Sequence, residues 1–348
     1  MKRLGAALLG AAMLLFGCGY PAADLSQLAV IKGVGLDAAG DARWQLTACV
    51  AKGDASGGHL TTAAEGDSVT EMVGELALSG SRQAFFGQNR VVALGSQLAG
   101  ADAAGPVLAL LDGGYADGRE QVVIFEGEAG QLLDEKSDAF LPPEELALLV
   151  EHAGKSSYIL PLRLAEAANA FLHADSAVLV PVCRAEEGAV RLSGMGVVQN
   201  GRLTATLTKE ECWGAKWLTG SMAGSKLTLS AGGRDYGIEI LQAQRKTQVS
   251  GGRLCIRLEF VFAALEQAAG SPEYSEETYR ALQEEAARLA EAQVRTAISR
   301  GAELEADFLN LQAAAGARLP ISRLPVRVEV RAVPKFQGAA QRSGYLWE

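Results

Sequence analysis

The sequence predicts an α+β protein of more than one domain, with antiparallel and mixed sheets and a long amphipathic helix in its C-terminal part. Three observations carry this. Short segments of strand period alternate with helix-period segments through the first half of the chain. Asn200-Gly201 stands between two apolar runs, the signal of a tight hairpin turn. Residues 271–298 carry one long helical stripe. With 348 residues, 49% of them hydrophobic, the chain can bury a substantial core, and its length suits two or three domains.

The elements follow in order. Leu28–Ile31 and Trp44–Val50 read as strands, joined by a Gly-rich turn from Gly33 to Asp41. Residues 68–82 read as a helix capped by Asp67 or Ser68, with Met72, Val73 and Leu76 on one face. Val91–Leu94 is a strand, and Gln97–Asp112 is helical with Pro106 at a break or restart. Gln121–Phe125 is a strand followed by a helix near Leu132. Pro142-Pro143-Glu144-Glu145 opens a helix to His152, with proline and acids in the first turn. A further helix follows Pro161 to His173, and strands then occupy much of Ala177 to Leu207. The main domain boundary is expected near residue 186, at Glu186-Glu187-Gly188.

Beyond it, Lys209–Leu218 is a short helix with Trp213 and Trp217 on one face. Strands are expected at 225–230, 235–247 and 253–264, the last two an antiparallel pair around Ser250-Gly251-Gly252. Ser271 and Pro272 suit the start of the long helix, and Tyr279, Leu282, Ala286, Leu289, Val294 and Ile298 form its apolar stripe. Glu284–Arg288 and Glu291–Arg295 are spaced as ion pairs on its wet side. A shorter helix (Glu303–Gln312) and a strand (Leu324–Val333) complete the pattern.

Lys2 and Arg3 precede an uncharged run from Leu4 to Gly17, which ends at Cys18. A basic start, a short apolar run and a small residue before the cut make an export signal. The run is shorter than the roughly 20 residues a spanning helix needs. A cysteine at the cut is where a bacterial lipoprotein receives its diacylglycerol; the other reading is an ordinary cleaved signal with an incidental cysteine. Removing residues 1–18 takes Lys2 and Arg3 from the 32 basic residues, leaving 30 against 41 acids, a formal charge of −11. That balance argues against nucleic acid as a partner and against a polybasic grip on anionic lipid. The lipid on Cys18 would then do the membrane holding, and it needs more than one acyl chain.

Little else suggests chemistry. Gly33-Val34-Gly35-Leu36-Asp37-Ala38 fits a phosphate-binding pattern formally, but the chain reaches its next strand by Trp44, leaving no room for the required helix. Gly154-Lys155-Ser156 ends like a P-loop, yet Leu149 stands where the opening glycine belongs, so a glycine closing a helix fits better. There is no GxSxG, and His59, His152 and His173 are scattered. Asp37, Asp41, Glu65 and Asp67 lack the ligand run of a calcium loop. Cys49, Cys183, Cys212 and Cys255 have no metal spacing; as exported thiols they could pair, and buried small hydrophobes are the default. No catalytic, cofactor or metal residue is assigned, and an enzyme is the minority reading.

Several segments resemble one family. Asp24–Asp37, with Leu28-Ala29 and Gly33-x-Gly35-x-Asp37, is similar to the opening of the Ger(x)C family, the lipoprotein C subunit of nutrient germinant receptors in endospore-forming bacteria. Ser81–Gly95, Leu192–Leu203, Thr208–Leu218 and the long Glu/Arg helix followed by Ala306-Asp307-Phe308 resemble it in the same order. Gly19-Tyr20 and Leu309-Asn310-Leu311 depart from its pattern. The resemblance implies a signal peptide at 1–18 and two C-subunit domains, 19–186 and 187–348. It implies a palmitate-bearing lipoprotein held by Cys18 on the outer face of the cell membrane or the spore's inner membrane. Its partners would be a polytopic transporter-like subunit and a second membrane subunit, with no cofactor and no catalytic residues. A stand-alone lipid-anchored solute-binding protein is the alternative, and a lipoprotein hydrolase with an unrecognised site is a third.

Overall fold

Two sheets organise the chain, and the order of the first follows from which strands are apolar on both faces. The computed structural model describes residues 27–40, 43–53, 57–79, 82–173, 176–267, 276–316 and 320–335. The first sheet contains β1 (Leu28–Ala38), β2 (Trp44–Ala51), β3 (His59–Gly66), β4 (Gln83–Phe85), β5 (Val91–Gly95), β6 (Gln121–Phe125), β7 (Ala177–Glu186), β8 (Ala189–Gln199) and β9 (Arg202–Leu207). Its order is β3-β2-β1-β5-β6-β7-β8-β9, with β4 beside the start of β1. The β1-β5-β6-β7 centre is parallel, and antiparallel hairpins extend it on both sides. Every residue of β5 and β6 is buried, as expected of parallel strands with helices on both faces.

Those helices form two layers. On one face α1 (Val69–Ser79), α2 (Ser96–Asp102), α3 (Ala104–Asp112) and α6 (Leu164–Phe171) pack on Val92, Leu94, Val122 and Ile124. On the other, α4 (Ala129–Leu133) and α5 (Pro143–Ser156) pack on Val91, Ala93, Val123 and Phe125. Alternation of side chains along each strand divides the two sets. Pro106 sits in the first turn of α3, where its missing N–H costs nothing.

The second sheet, order β10-β11-β12-β13, consists of β10 (Lys226–Ala231), β11 (Arg234–Ser250), β12 (Arg253–Gln267) and β13 (Val326–Lys335). β12 and β13 are parallel, so a crossover must join them, and α8 (Glu276–Glu303) supplies it. α7 (Lys209–Thr219) packs on α8, and α9 (Leu311–Ala315) follows. One apolar cluster takes in Leu179, Met195, Val197 and Leu207 of the first sheet, Trp213 and Trp217 of α7, and Phe260 and Phe262 of the second sheet. Glu187 and Gly188, at φ 52° and 74°, form the tight turn between β7 and β8. The first sheet therefore runs through position 186 and ends at Leu207.

Several expectations change. Gly33–Ala38 is not a turn but the second half of β1, and the turn lies between Ala38 and Trp44. Apolar and small residues there are buried on both faces, which removes the alternation that marks a half-buried strand. β3 has no sequence signal: its His59-Leu-Thr-Thr-Ala-Ala-Glu-Gly66 run is held by pairing with β2. Arg288 pairs with Glu285, its Nε donating to Oε2 at 2.8 Å, rather than with Glu284. Glu303–Gln312 is not one helix: α8 ends at Glu303, and α9 begins at Leu311. Gly154 lies inside the last turn of α5 rather than after it, where a side chain would strike Pro161. Ser271 and Pro272 lie outside the described residues, as does Cys18.

Candidate functional site

In the sequence β1 begins ten residues after Cys18, at Leu28. β4 runs parallel beside Leu28–Val30, at the start of β1. Beside β4 lies an open groove of about 740 Å³, lined by Val73 and Ala77 of α1, Phe85, Phe86 and Tyr115. The Phe86 and Tyr115 rings are 5.5 Å apart and tilted. Phe85, at 38% exposure, leaves a large apolar side chain open to solvent in the groove. Isolated exposed leucines are ordinary; a groove with aromatic walls is a more distinctive surface feature.

The Gly33-x-Gly35-x-Asp37 stretch acts through packing. A side chain at Gly33 would strike Pro143, and one at Gly35 would press on the Ala129 backbone, so both glycines let the overlying helices approach. Asp37 is 4% exposed. Its Oδ1 accepts from Ala129 N at 2.7 Å and its Oδ2 from Gly130 N at 2.9 Å, satisfying the first turn of α4. Burial raises its carboxyl above the usual range, against the opposing pull of those two N–H groups. Asp307 repeats the device on α9, accepting from Leu311 N and Gln312 N, both at 2.8 Å. Burial raises its carboxyl too. The Asp37 role is not readable from the sequence, because cap and helix are 92 residues apart, whereas Asp307 stands only a few residues before the helix it caps.

α7 carries the other dense motif. Cys212 through Leu218 are all buried. Thr208 caps the helix, accepting from Glu211 N at 3.3 Å, while Glu211 accepts from Thr208 N at 2.6 Å. A side chain at Gly214 would fall 2.0 Å from the Gln293 carbonyl oxygen, so α7 and α8 touch backbone to backbone there. Trp217 Nε1 donates to Gln293 Oε1 at 2.9 Å, and its ring lies 4.8 Å from that of Phe260. Lys216 is 1% exposed, and its Nζ donates to the carbonyls of Gly154, at 2.8 Å, and of Ser157. It thereby serves the carbonyl end of α5, where a cation is favoured. Burial pulls its ammonium down to about 8.

The remaining candidates do not converge. His59 opens β3, 3.7 Å from Glu144 and 5.8 Å ring to ring from Phe140, and is a partly buried strand residue. His152 is exposed on α5, and exposed His173 lies beside the Asn169 carbonyl at 2.7 Å. A polar recess of about 550 Å³ lies beside Lys32 of β1 and the starts of β5 and β6, where Lys32 pairs with Glu144 and Arg119 with Asp117. Asn89 and Gln121 border it with amide atoms that lack protein partners, but those atoms are sealed from solvent. Asp67 pairs with Arg43 at 3.3 Å. No group of three metal-ligating side chains occurs among the described residues. Cys49, Cys183 and Cys212 are buried and unpaired, and burial pushes each thiol up to about 12; Cys255 is unpaired and half-buried.

Comparison with known proteins assigns the architecture. Residues 21–185 match the family described as spore germination protein N-terminal domain, and residues 193–321 match spore germination B3/GerAC like, C-terminal. The chain belongs to the Ger(x)C family of spore germination proteins. Spore germination protein YndF of Bacillus subtilis (strain 168) is 27% identical over 172 residues, 48% of this chain and 42% of that protein. The match thus spans less than half the length of that relative. The crystal structure of the GerBC protein shares the fold, with a TM-score of 0.53 at 14% identity, covering 89% of this chain and 99% of that one.

Proposed function

We propose that this chain is a lipid-anchored subunit of a nutrient germinant receptor, working in spore germination through contacts with the receptor's membrane subunits. The observation that carries the reading is the pair of family matches, in order, over residues 21–185 and 193–321. Physical features support it. The described residues contain no helix long and apolar enough to cross a bilayer. The acidic composition offers no electrostatic grip on anionic lipid, so the acyl chains on Cys18 supply the attachment. The aromatic groove beside β4 then lies within tether reach of the bilayer, where a polytopic transporter-like subunit and a second membrane subunit would stand. The chain's own contribution is a surface, with units 19–186 and 187–348 held beside the membrane rather than performing catalysis.

The test is fractionation of a Cys18→Ala variant. It should leave the membrane fraction and lose co-purification with the polytopic subunit, while wild type keeps both. Unchanged membrane retention would sink the anchor. Wild type that stays on the membrane without partners and binds a small solute alone would favour a stand-alone lipid-anchored solute-binding protein.

A further inference from the structure

β11 is longer than its outer neighbour. β10 pairs only with Arg234–Glu239, and the Ser225 and Gly224 backbones extend that contact to Ile240. From Leu241 to Ser250 the strand pairs with β12 alone among the described residues, so alternate N–H and C=O groups along its other edge lack strand partners. Residues 244–250 are exposed on both faces, Val249 at 55%, although the β12 residue opposite it, Leu254, is buried. A groove of about 310 Å³ runs along this edge, lined by Trp217, Met222, Gln242, Arg245 and Leu258. An unpaired edge beside a groove with an aromatic wall is the geometry that accepts an extended segment as an added strand.

The charge of the edge selects the segment. Leu241–Ser250 contains Arg245 and Lys246 and no acid, in a chain of net charge −9. Neither cation has an ion pair among the described residues. Arg245 lines the groove and is open to solvent, so a carboxylate laid in the groove would meet its guanidinium. Lys246, the next residue, points to the opposite face. Edge cations ordinarily discourage a second neutral or basic strand. Two copies of this edge would set Arg245 and Lys246 against the same cations, which is repulsive. The chain's residues 336–348 offer one arginine and one glutamate, no match for two adjacent cations.

We propose that Leu241–Ser250 of β11 is a docking edge for an extended segment of a partner protein with adjacent acidic residues, added as a strand with its carboxylates at Arg245 and Lys246. This rests on the reading that the chain works by protein contacts, and it names the chemistry of one of them. The probe is a synthetic octapeptide of threonine and valine with two adjacent glutamates at its centre, titrated against the full chain in detergent. Binding should be at least tenfold tighter than for the same peptide with two lysines or a central proline, and should protect the amides of residues 241–250 from hydrogen exchange. The Arg245→Glu/Lys246→Glu variant, altered only at exposed positions, should reverse the preference. Equal binding of acidic and basic peptides, no protection at 241–250, or an unchanged preference in the variant would overturn the proposal; so would concentration-dependent protection of that edge without peptide, which would assign it to a second copy. Co-purification separates the two levels: if wild type captures no membrane subunit, the functional reading fails, and if wild type and the charge-reversed variant capture it equally, only the docking edge fails.

Discussion

Asp37 and Asp307 do the same work at opposite ends of the chain, each laying two carboxylate oxygens on two N–H groups of a five-residue helix. So short a helix is not stable by itself, and the cap is part of what forms it. Asparagine cannot replace this, because it turns one of the two acceptors into a donor facing an N–H group. Asp37→Asn should therefore cost about 1–3 kcal/mol in urea unfolding; a loss below about 0.5 kcal/mol would mean that α4 is held by its apolar contacts alone. Lys216 gives a test with a sign. Its ammonium titrates near 8 when folded and near 10.5 when exposed, so the unfolded chain takes up the proton first as pH falls. The penalty is complete below pH 8 and relieved as pH approaches 10.5. Relative to Lys216→Met, wild type should gain on the order of 2 kcal/mol between pH 7 and pH 10; a flat difference would mean that the ammonium is solvated in the folded state.

At the scale of elements, close backbone approach decides more than side-chain size. Gly214→Ala puts a methyl group against the Gln293 carbonyl and should lower stability by about 1–3 kcal/mol or more, read as a fall in Tm, by prising α7 from α8. An unchanged Tm would show that the helices slide apart freely. The helices and hairpins with local signals were legible: α5 from Pro143 with Glu144 and Glu145, the β8–β9 hairpin from Asn200-Gly201, and the paired tryptophans of α7. β3 was not, since alanines and threonines carry no clear period and the strand exists by pairing with β2. The second half of β1 reads as a turn because glycines that admit an overlying helix look like glycines that make a turn.

For the whole molecule, one apolar cluster joins β7–β9 to α7, α8 and the second sheet, so the segments on either side of residue 186 share a core. Lys216 of α7, on the end of α5, ties the same two regions. Thermal unfolding should show one cooperative transition, and a fragment starting at residue 187 should fail to fold because β8 loses β7; two separate transitions would contradict this. A thiol reagent should modify Cys255 in the folded chain and Cys49, Cys183 and Cys212 only on unfolding. The sequence by itself determined the α+β class, most helices and hairpins, and the family, because periodicity, turn chemistry and short motifs are local. Only the tertiary structure decided that Asp37 is a helix cap, that Lys216 is buried, and that β11 runs past its neighbour to leave a basic edge open. Those depend on which distant backbone a side chain meets, and no local pattern encodes that.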